Sequence, residues 1–145
     1  MKAVIQRVSE ASVSVDGTVV GAIDQGILAY IGLGHDDDLI QARKLIDKIL
    51  AYRIYPNEEG KLDRNVQEVG AGLLLVSQFT LMAKTDKGRR PDFGPAMAPD
   101  KAKALFAELV AYANQQYQPV ATGVFGADMR VQAINEGPMN FILEV

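Results

Sequence analysis

The sequence predicts one α+β domain spanning residues 1–145, a set of short strands with two helices packed against them. Three observations point there. At 145 residues the chain is the size of one domain and long enough to bury a real core. Most apolar residues fall in short runs bounded by glycine or turn residues, the pattern of strands. Only two stretches repeat apolar residues at helical spacing, so strands dominate and helices cover them. Repeats, low-complexity tracts and linkers are absent.

Residues 2–9, 11–16 and 18–23 read as short strands, with Asp16-Gly17 as a hairpin signal. Gly26 opens another apolar run, Ile27-Leu28-Ala29-Tyr30-Ile31, closed by Gly32 and Gly34. Asp36-Asp37-Asp38 then places acids where they complement a helix dipole and cap free N–H groups. Leu39, Ala42, Ile46, Ile49 and Arg53 follow at helical spacing, which predicts an amphipathic helix over 37–53. The continuous run Gly72-Leu73-Leu74-Leu75-Val76 reads as a strand buried on both faces. Pro99 suits the first position of a second helix, with Ala102, Leu105, Phe106, Leu109 and Ala113 on one face. From Ala127 to Val145 the tail alternates as two strands around Gly137-Pro138.

Composition narrows the chemistry. Hydrophobic content of 48% and charged content of 23% are ordinary for a soluble globular protein. Without cysteine there is no disulfide framework, thiol nucleophile or thiolate metal site, which fits a cytoplasmic protein. Lys2, Arg7 and Glu10 leave no signal-peptide core, and no apolar run reaches membrane-spanning length. A net charge of −3 weighs against a broad nucleic-acid surface, since Lys and Arg supply most non-specific affinity. His35, the single histidine, lies between a strand end and an acidic run, and nothing places it near Ser77 for a triad. One His and no Cys make a poor zinc site, Asp36-Asp37-Asp38 lacks calcium-loop spacing, and no phosphate or dinucleotide fingerprint occurs. No cofactor or metal is expected.

Two motifs remain. Asn135-Glu136-Gly137-Pro138-Met139-Asn140-Phe141 sets a Gly-Pro step between apolar runs. Pro removes a ladder donor, an X-Pro bond goes cis at modest cost, and Gly permits close backbone approach. A cis Gly-Pro pair would turn bare carbonyls outward as a rigid acceptor wall; the plainer alternative is an ordinary turn, and Gly94-Pro95 repeats the dipeptide in a polar loop. The other motif, Ser77-Gln78-Phe79-Thr80-Leu81, ends the most apolar strand. Gln78 and nearby backbone N–H groups suit an oxyanion, and Thr80 suits a water or substrate amine. Capping of a polar strand end by its own hydroxyls explains the same residues equally well.

Taken together these segments resemble the D-aminoacyl-tRNA deacylases (D-tyrosyl-tRNA deacylases). Met1-Lys2-Ala3-Val4-Ile5-Gln6-Arg7-Val8 is similar to that family's first strand, and Ala11-Ser12-Val13-Ser14-Val15 with Gly17 to its second. Ser77–Leu81 matches one signature, Gly88-Arg89-Arg90-Pro91-Asp92-Phe93 resembles the Gly-x-Arg-Pro-x-Phe loop, and Asn135-x-Gly137-Pro138 matches a second signature. The resemblance covers essentially the whole chain. One departure is Asn140, where the family usually carries Thr; Asn still donates and accepts hydrogen bonds.

The resemblance implies a barrel-like, mainly antiparallel or mixed sheet in a homodimer that hydrolyses D-aminoacyl-tRNA, and some glycyl-tRNA, with no cofactor. It implies catalytic roles for Ser77, Gln78, Phe79 and Thr80. Gly137-Pro138 is expected to be cis and to reach the partner subunit's site, where its carbonyls occupy the space an L side chain needs. Arg7 is expected to hydrogen-bond those carbonyls, with Met139 and Asn140 completing the substrate-binding set. Lys84, Lys87, Arg89 and Arg90 offer a local basic lip for a tRNA acceptor end; a merely solvated loop is the alternative. No activated nucleophile or base is evident, so orientation, oxyanion donors and the ribose's own hydroxyl would carry the reaction, with Thr80 as a covalent nucleophile the lesser option. Two other functions stay open: a non-catalytic dimer binding RNA ends or nucleotides, and a related deacylase with altered substrate preference.

Overall fold

The computed structural model describes residues Met1–Val145. Strand β1 (Lys2–Val15) turns into β2 (Thr18–Ile23) through Asp16 and Gly17, whose φ values of 49° and 79° suit a two-residue hairpin turn. The expected break near Glu10 does not occur. β1 is continuous because β8 (Arg130–Glu144) pairs antiparallel with both of its halves, from Lys2↔Glu144 to Ser14↔Arg130.

The tail differs from the two strands expected. It is one long strand whose register slips where Gln6 pairs with Asn140 and Val8 with Asn135. Glu136, Gly137, Pro138 and Met139 therefore stand opposite Arg7 alone, and the Gly-Pro step is an excursion from a continuous strand. A slip of this kind leaves residues outside the ladder and bends the strand. The Gly137-Pro138 bond is cis, as is Gln118-Pro119.

β3 (Gly26–Gly32) pairs antiparallel with the first half of β1. β6 (Gly72–Ser77) runs parallel to β3, and β7 (Val120–Thr122) parallel to β6. Parallel neighbours require crossovers, and each crossover carries a helix: α1 (Leu39–Ala51) between β3 and β6, and α2 (Pro99–Gln116) between β6 and β7. β7 then closes on β2 so tightly that no side chain would fit at Gly21 against the Thr122 carbonyl. The sheet is thus curled into a nearly closed barrel. β4 (Tyr55–Pro56) and β5 (Leu62–Arg64) form a small separate hairpin, too short and polar to show a strand period in sequence.

Helix α1 starts later than the acidic run suggests. Asp38 is its cap, accepting from the Ile40 and Gln41 N–H groups while Gln41 returns a bond to the Asp38 N–H. Asp37 instead takes the Met1 ammonium at 2.8 Å and the Gly34 N–H at 2.6 Å. Pro99 opens α2, and its buried residues are the predicted Ala102, Leu105, Phe106, Leu109 and Ala113.

Two cores result. Ile5, Ile27, Ala29, Ile31, Leu73 and Leu75 face the helices, while Val8, Val13, Leu28, Leu74 and Val76 fill the barrel. Alternate residues of β3 and β6 serve opposite cores, which is why their sequences are apolar throughout. Each fully buried Leu or Ile contributes about 1.5–3 kcal/mol, so these strands form a rigid base. No helix is long and apolar enough to cross a membrane.

Candidate functional site

Both β3 and β6 end at one edge of the barrel, and the Ser77–Leu81 motif leaves the core there. Gln78 N–H donates to the Ile31 carbonyl at 2.8 Å, carrying the parallel pairing one residue beyond Ser77. The chain then turns into a single 3-10 turn, Phe79–Met82. Gly32 lets this turn lie on the end of β3: a Cβ there would stand 2.9 Å from Leu81 Cβ and 3.1 Å from the Gln78 carbonyl.

Within the turn, Leu81 N–H donates to Gln78 O and Ala83 N–H to Thr80 O. The first two N–H groups, of Phe79 and Thr80, have no acceptor in the chain, as expected at a helix start. The side chains of Ser77, Gln78 and Thr80 make no hydrogen bond within the chain either, so none is occupied in capping. His35 is exposed and pairs with Asp36 at 2.8 Å, so it orients no serine or threonine hydroxyl. Nowhere do three or more His, Cys, Asp or Glu side chains gather as a metal site requires.

Beside the turn opens a largely apolar cavity of about 660 Å³ at the barrel mouth. Tyr30, Val76, Met129, Phe79, Phe93 and Phe125 are among the residues that line it. Phe79 is 58% exposed, with its ring centroid 4.9 Å from that of Phe93. Burial raises the Tyr30 hydroxyl above the ordinary tyrosine pKa, so it stays neutral.

The basic cluster flanks the same mouth in sequence and in space. Lys84 and Asp92 exchange backbone hydrogen bonds of 2.8 and 3.2 Å, closing a loop that Gly88 turns at φ 75°. Lys84, Lys87, Arg89 and Arg90 are exposed on this loop, and none joins an ion pair. Phe93, just past it, lines the cavity.

The second motif stands elsewhere. Arg7, Gly137, Pro138, Met139 and Asn140 line no part of this cavity. Arg7 pairs with Ile27 on β3, five residues from Gly32, and at roughly 3.4 Å per residue that is about 17 Å along the sheet. Arg7 itself departs from expectation: its Nη1 donates to the Ile54 carbonyl at 2.7 Å, and no hydrogen bond joins it to Gly137 or Pro138. Its Nη2 lies beneath Gly137, 3.4 Å from where a Cβ would be. Asn135, to which the sequence alone assigns no role, donates to the Arg7 carbonyl at 2.9 Å and the Met139 carbonyl at 3.2 Å. Asn140 accepts from Gln6 Nε2 at 2.9 Å. Beneath lies Tyr55, buried with an unpartnered hydroxyl whose pKa burial pushes up, against the pull of Arg7. Asn135 is visible in sequence only as the first letter of its motif; Tyr55 and the aromatic cavity carry no sequence signal.

The family model and the sequence relatives point to one family. The family model for D-Tyr-tRNA(Tyr) deacylase matches residues 4–144. A D-aminoacyl-tRNA deacylase of Psychrobacter cryohalolentis is 69% identical, over 100% of this chain and 99% of the relative. One from Acinetobacter baumannii is 57% identical with the same coverage. Among solved structures, one described as c-Myc DNA unwinding element binding protein superposes with a TM-score of 0.95 at 36% identity, covering 100% of this chain and 99% of that one. Another, described as a probable eukaryotic D-amino acid tRNA deacylase, gives a TM-score of 0.87 at 17% identity, covering 99% and 98%, and shares the fold.

Proposed function

The chain belongs to the D-Tyr-tRNA(Tyr) deacylase family, and from that premise we propose that it hydrolyses the ester of D-aminoacyl-tRNA through backbone donors rather than an activated side chain. The observation that carries this is the pair of unpartnered N–H groups, Phe79 and Thr80, beside an aromatic-lined cavity. The ester carbonyl oxygen sits between these donors. The terminal nucleoside enters the cavity, where its base stacks on Phe79 or Phe93; base–aromatic stacking contributes about 1–3 kcal/mol. Lys84, Lys87, Arg89 and Arg90 meet the few phosphates behind it, so a net charge of −3 and tRNA binding coexist.

Water adds to the carbonyl carbon, and the negative charge forms on the oxygen facing the two N–H groups. Collapse breaks the ester C–O bond. The ribose oxygen leaves with the proton given up by water, passed through the adjacent ribose hydroxyl. Orientation supplies roughly 7–11 kcal/mol at best, and each oxyanion donor about 2.7–4 kcal/mol. An aminoacyl ester is activated already, so no general base is needed.

Discrimination belongs to the second motif. Gly137 and Pro138 of a partner copy present their carbonyls at the site and exclude an L side chain, while a D side chain points outward. Glycine, having no side chain, is cleaved to some extent. Two features support a second copy: the roughly 17 Å separation of the motifs along one sheet, and the outer edge of β8, which pairs only with β1 and exposes Ile134 and Ile142.

One observation favours binding without hydrolysis, the 36% identical structure described as a DNA unwinding element binding protein. A single assay separates the two. Purified protein is incubated with D-tyrosyl-tRNA and L-tyrosyl-tRNA, with and without chelator, and ester loss is followed. Rapid, chelator-insensitive loss of the D ester alone is expected. Inertness toward both esters overturns the hydrolase in favour of binding, and equal loss of both overturns chiral exclusion.

A further inference from the structure

Asn135 stands where β8 leaves its ladder, two residues before Gly137. Its single Nδ2 serves two carbonyls, that of Arg7 on the opposite strand at 2.9 Å and that of Met139 at 3.2 Å, where the excursion returns. Asparagine suits this place because its amide nitrogen carries two protons and each finds an acceptor. At the far foot, Gln6 Nε2 donates to Asn140 Oδ1 at 2.9 Å as pairing resumes. Gly137 and Pro138, between these ties, are exposed and hold no side-chain hydrogen bond of their own.

We propose that Asn135 is a positioning residue that sets how far the Gly137-Pro138 carbonyls project and thereby fixes discrimination between D and L esters. This rests on the function proposed above, in which those carbonyls exclude the L side chain. A wall rejects a methyl-sized group only while it holds its place to within about 0.5 Å. Backbone pairing cannot hold it here, because the register slips between Gln6 and Val8 and again between Val8 and Glu10. Asn135 ties the two feet of the excursion across that gap. Aspartate has the same shape but would turn a carboxylate oxygen toward two carbonyl oxygens, so the tie becomes a repulsion.

The test compares the parent with Asn135→Asp, Asn135→Ala and Gly137→Ala, measuring kcat and KM separately on D- and L-tyrosyl-tRNA, with thermal unfolding alongside. Gly137→Ala reports on the wall itself: its φ of 115° disfavours any side chain, and a Cβ would meet the Met139 nitrogen at 3.1 Å. In both Asn135 variants the D/L ratio of kcat/KM is expected to fall on the order of tenfold, the scale of one lost hydrogen bond. The fall comes from faster L-ester loss, with D-ester kcat/KM within about threefold of the parent. An unchanged ratio in the Asn135 variants with a collapsed ratio in Gly137→Ala overturns the role of Asn135 and leaves the wall standing. An unchanged ratio in all three overturns both. Equal decline on both esters, or failure of both Asn135 variants to fold, makes Asn135 a folding element and overturns the proposal.

Discussion

Replacing Gly32 by Ala tests whether the proposed oxyanion donors depend on one absent side chain. Gly32 ends β3 directly beneath the Phe79–Met82 turn. The added Cβ would lie 2.9 Å from Leu81 Cβ, 3.1 Å from the Gln78 carbonyl and 3.1 Å from Met82 Sδ. The first contact is roughly half an ångström inside the 3.4 Å at which ordinary contact begins, and it meets a Cβ that cannot swing aside. The turn must move outward by about that amount, carrying the Phe79 and Thr80 N–H groups with it. Overpacking of this kind costs about 1–3 kcal/mol. A misplacement of 1 Å costs about a hundredfold in rate, so half that displacement predicts a drop of about tenfold in kcat. Deacylation of D-tyrosyl-tRNA and thermal unfolding are measured together. Ile46→Val provides the control: it trims a fully buried residue of α1 and destabilises by about 0.5–1.5 kcal/mol. Its kcat should be that of the parent. A Gly32→Ala protein that unfolds earlier yet keeps the parent kcat would refute the dependence of the donors on this contact.

Thr80→Ala removes a hydroxyl that has no partner in the chain but leaves the backbone N–H in place, so kcat should fall by less than about tenfold; abolished turnover with unchanged KM would make Thr80 the nucleophile. Tyr55→Phe removes a buried, unpartnered hydroxyl, so at neutral pH it should leave stability unchanged or raise it by about 1 kcal/mol. Burial also raises the Tyr55 pKa above the ordinary 10.0. The stability tied to its neutral form is complete below pH 10.0 and is lost as pH rises beyond it, because the unfolded chain ionises first. Urea unfolding from about pH 8 to about pH 11 should therefore show a shallower alkaline decline in Tyr55→Phe. An unaltered decline, or a loss of more than about 1 kcal/mol at neutral pH, would show that the hydroxyl is satisfied in solution.

What the sequence made legible follows from periodicity. The buried face of α2 and the run Gly72–Val76 are long, regular patterns set by burial alone, and both stand as expected. The break expected at Glu10 failed because an exposed acid between apolar runs resembles a loop, whereas continuity is imposed by β8, more than a hundred residues away. The same long-range pairing turned the tail into one strand with an excursion. The partner of Arg7 was not legible for a related reason: the Ile54 carbonyl belongs to a segment whose place on the fold no local pattern gives. Ser77–Leu81 was recognisable as a motif, but its 3-10 turn depends on Gly32, a residue of another strand. Side chains that act through distant backbone, such as Asn135, leave no periodic trace.

The division between the two motifs follows from how strands pair. β1 and β3 act as a ruler: the donor turn sits where Lys2 pairs with Gly32, and the excursion stands opposite Arg7, which pairs with Ile27. No bend along these paired strands can bring them together without breaking the ladder. If Gly137-Pro138 selects the substrate that Phe79 and Thr80 activate, the two must belong to different copies. Rate and selectivity then rest on separate chains at each site, and each can be lost alone. A single copy would retain its donors and cavity while lacking the wall, so separation of the copies should cost discrimination before it costs the capacity for hydrolysis.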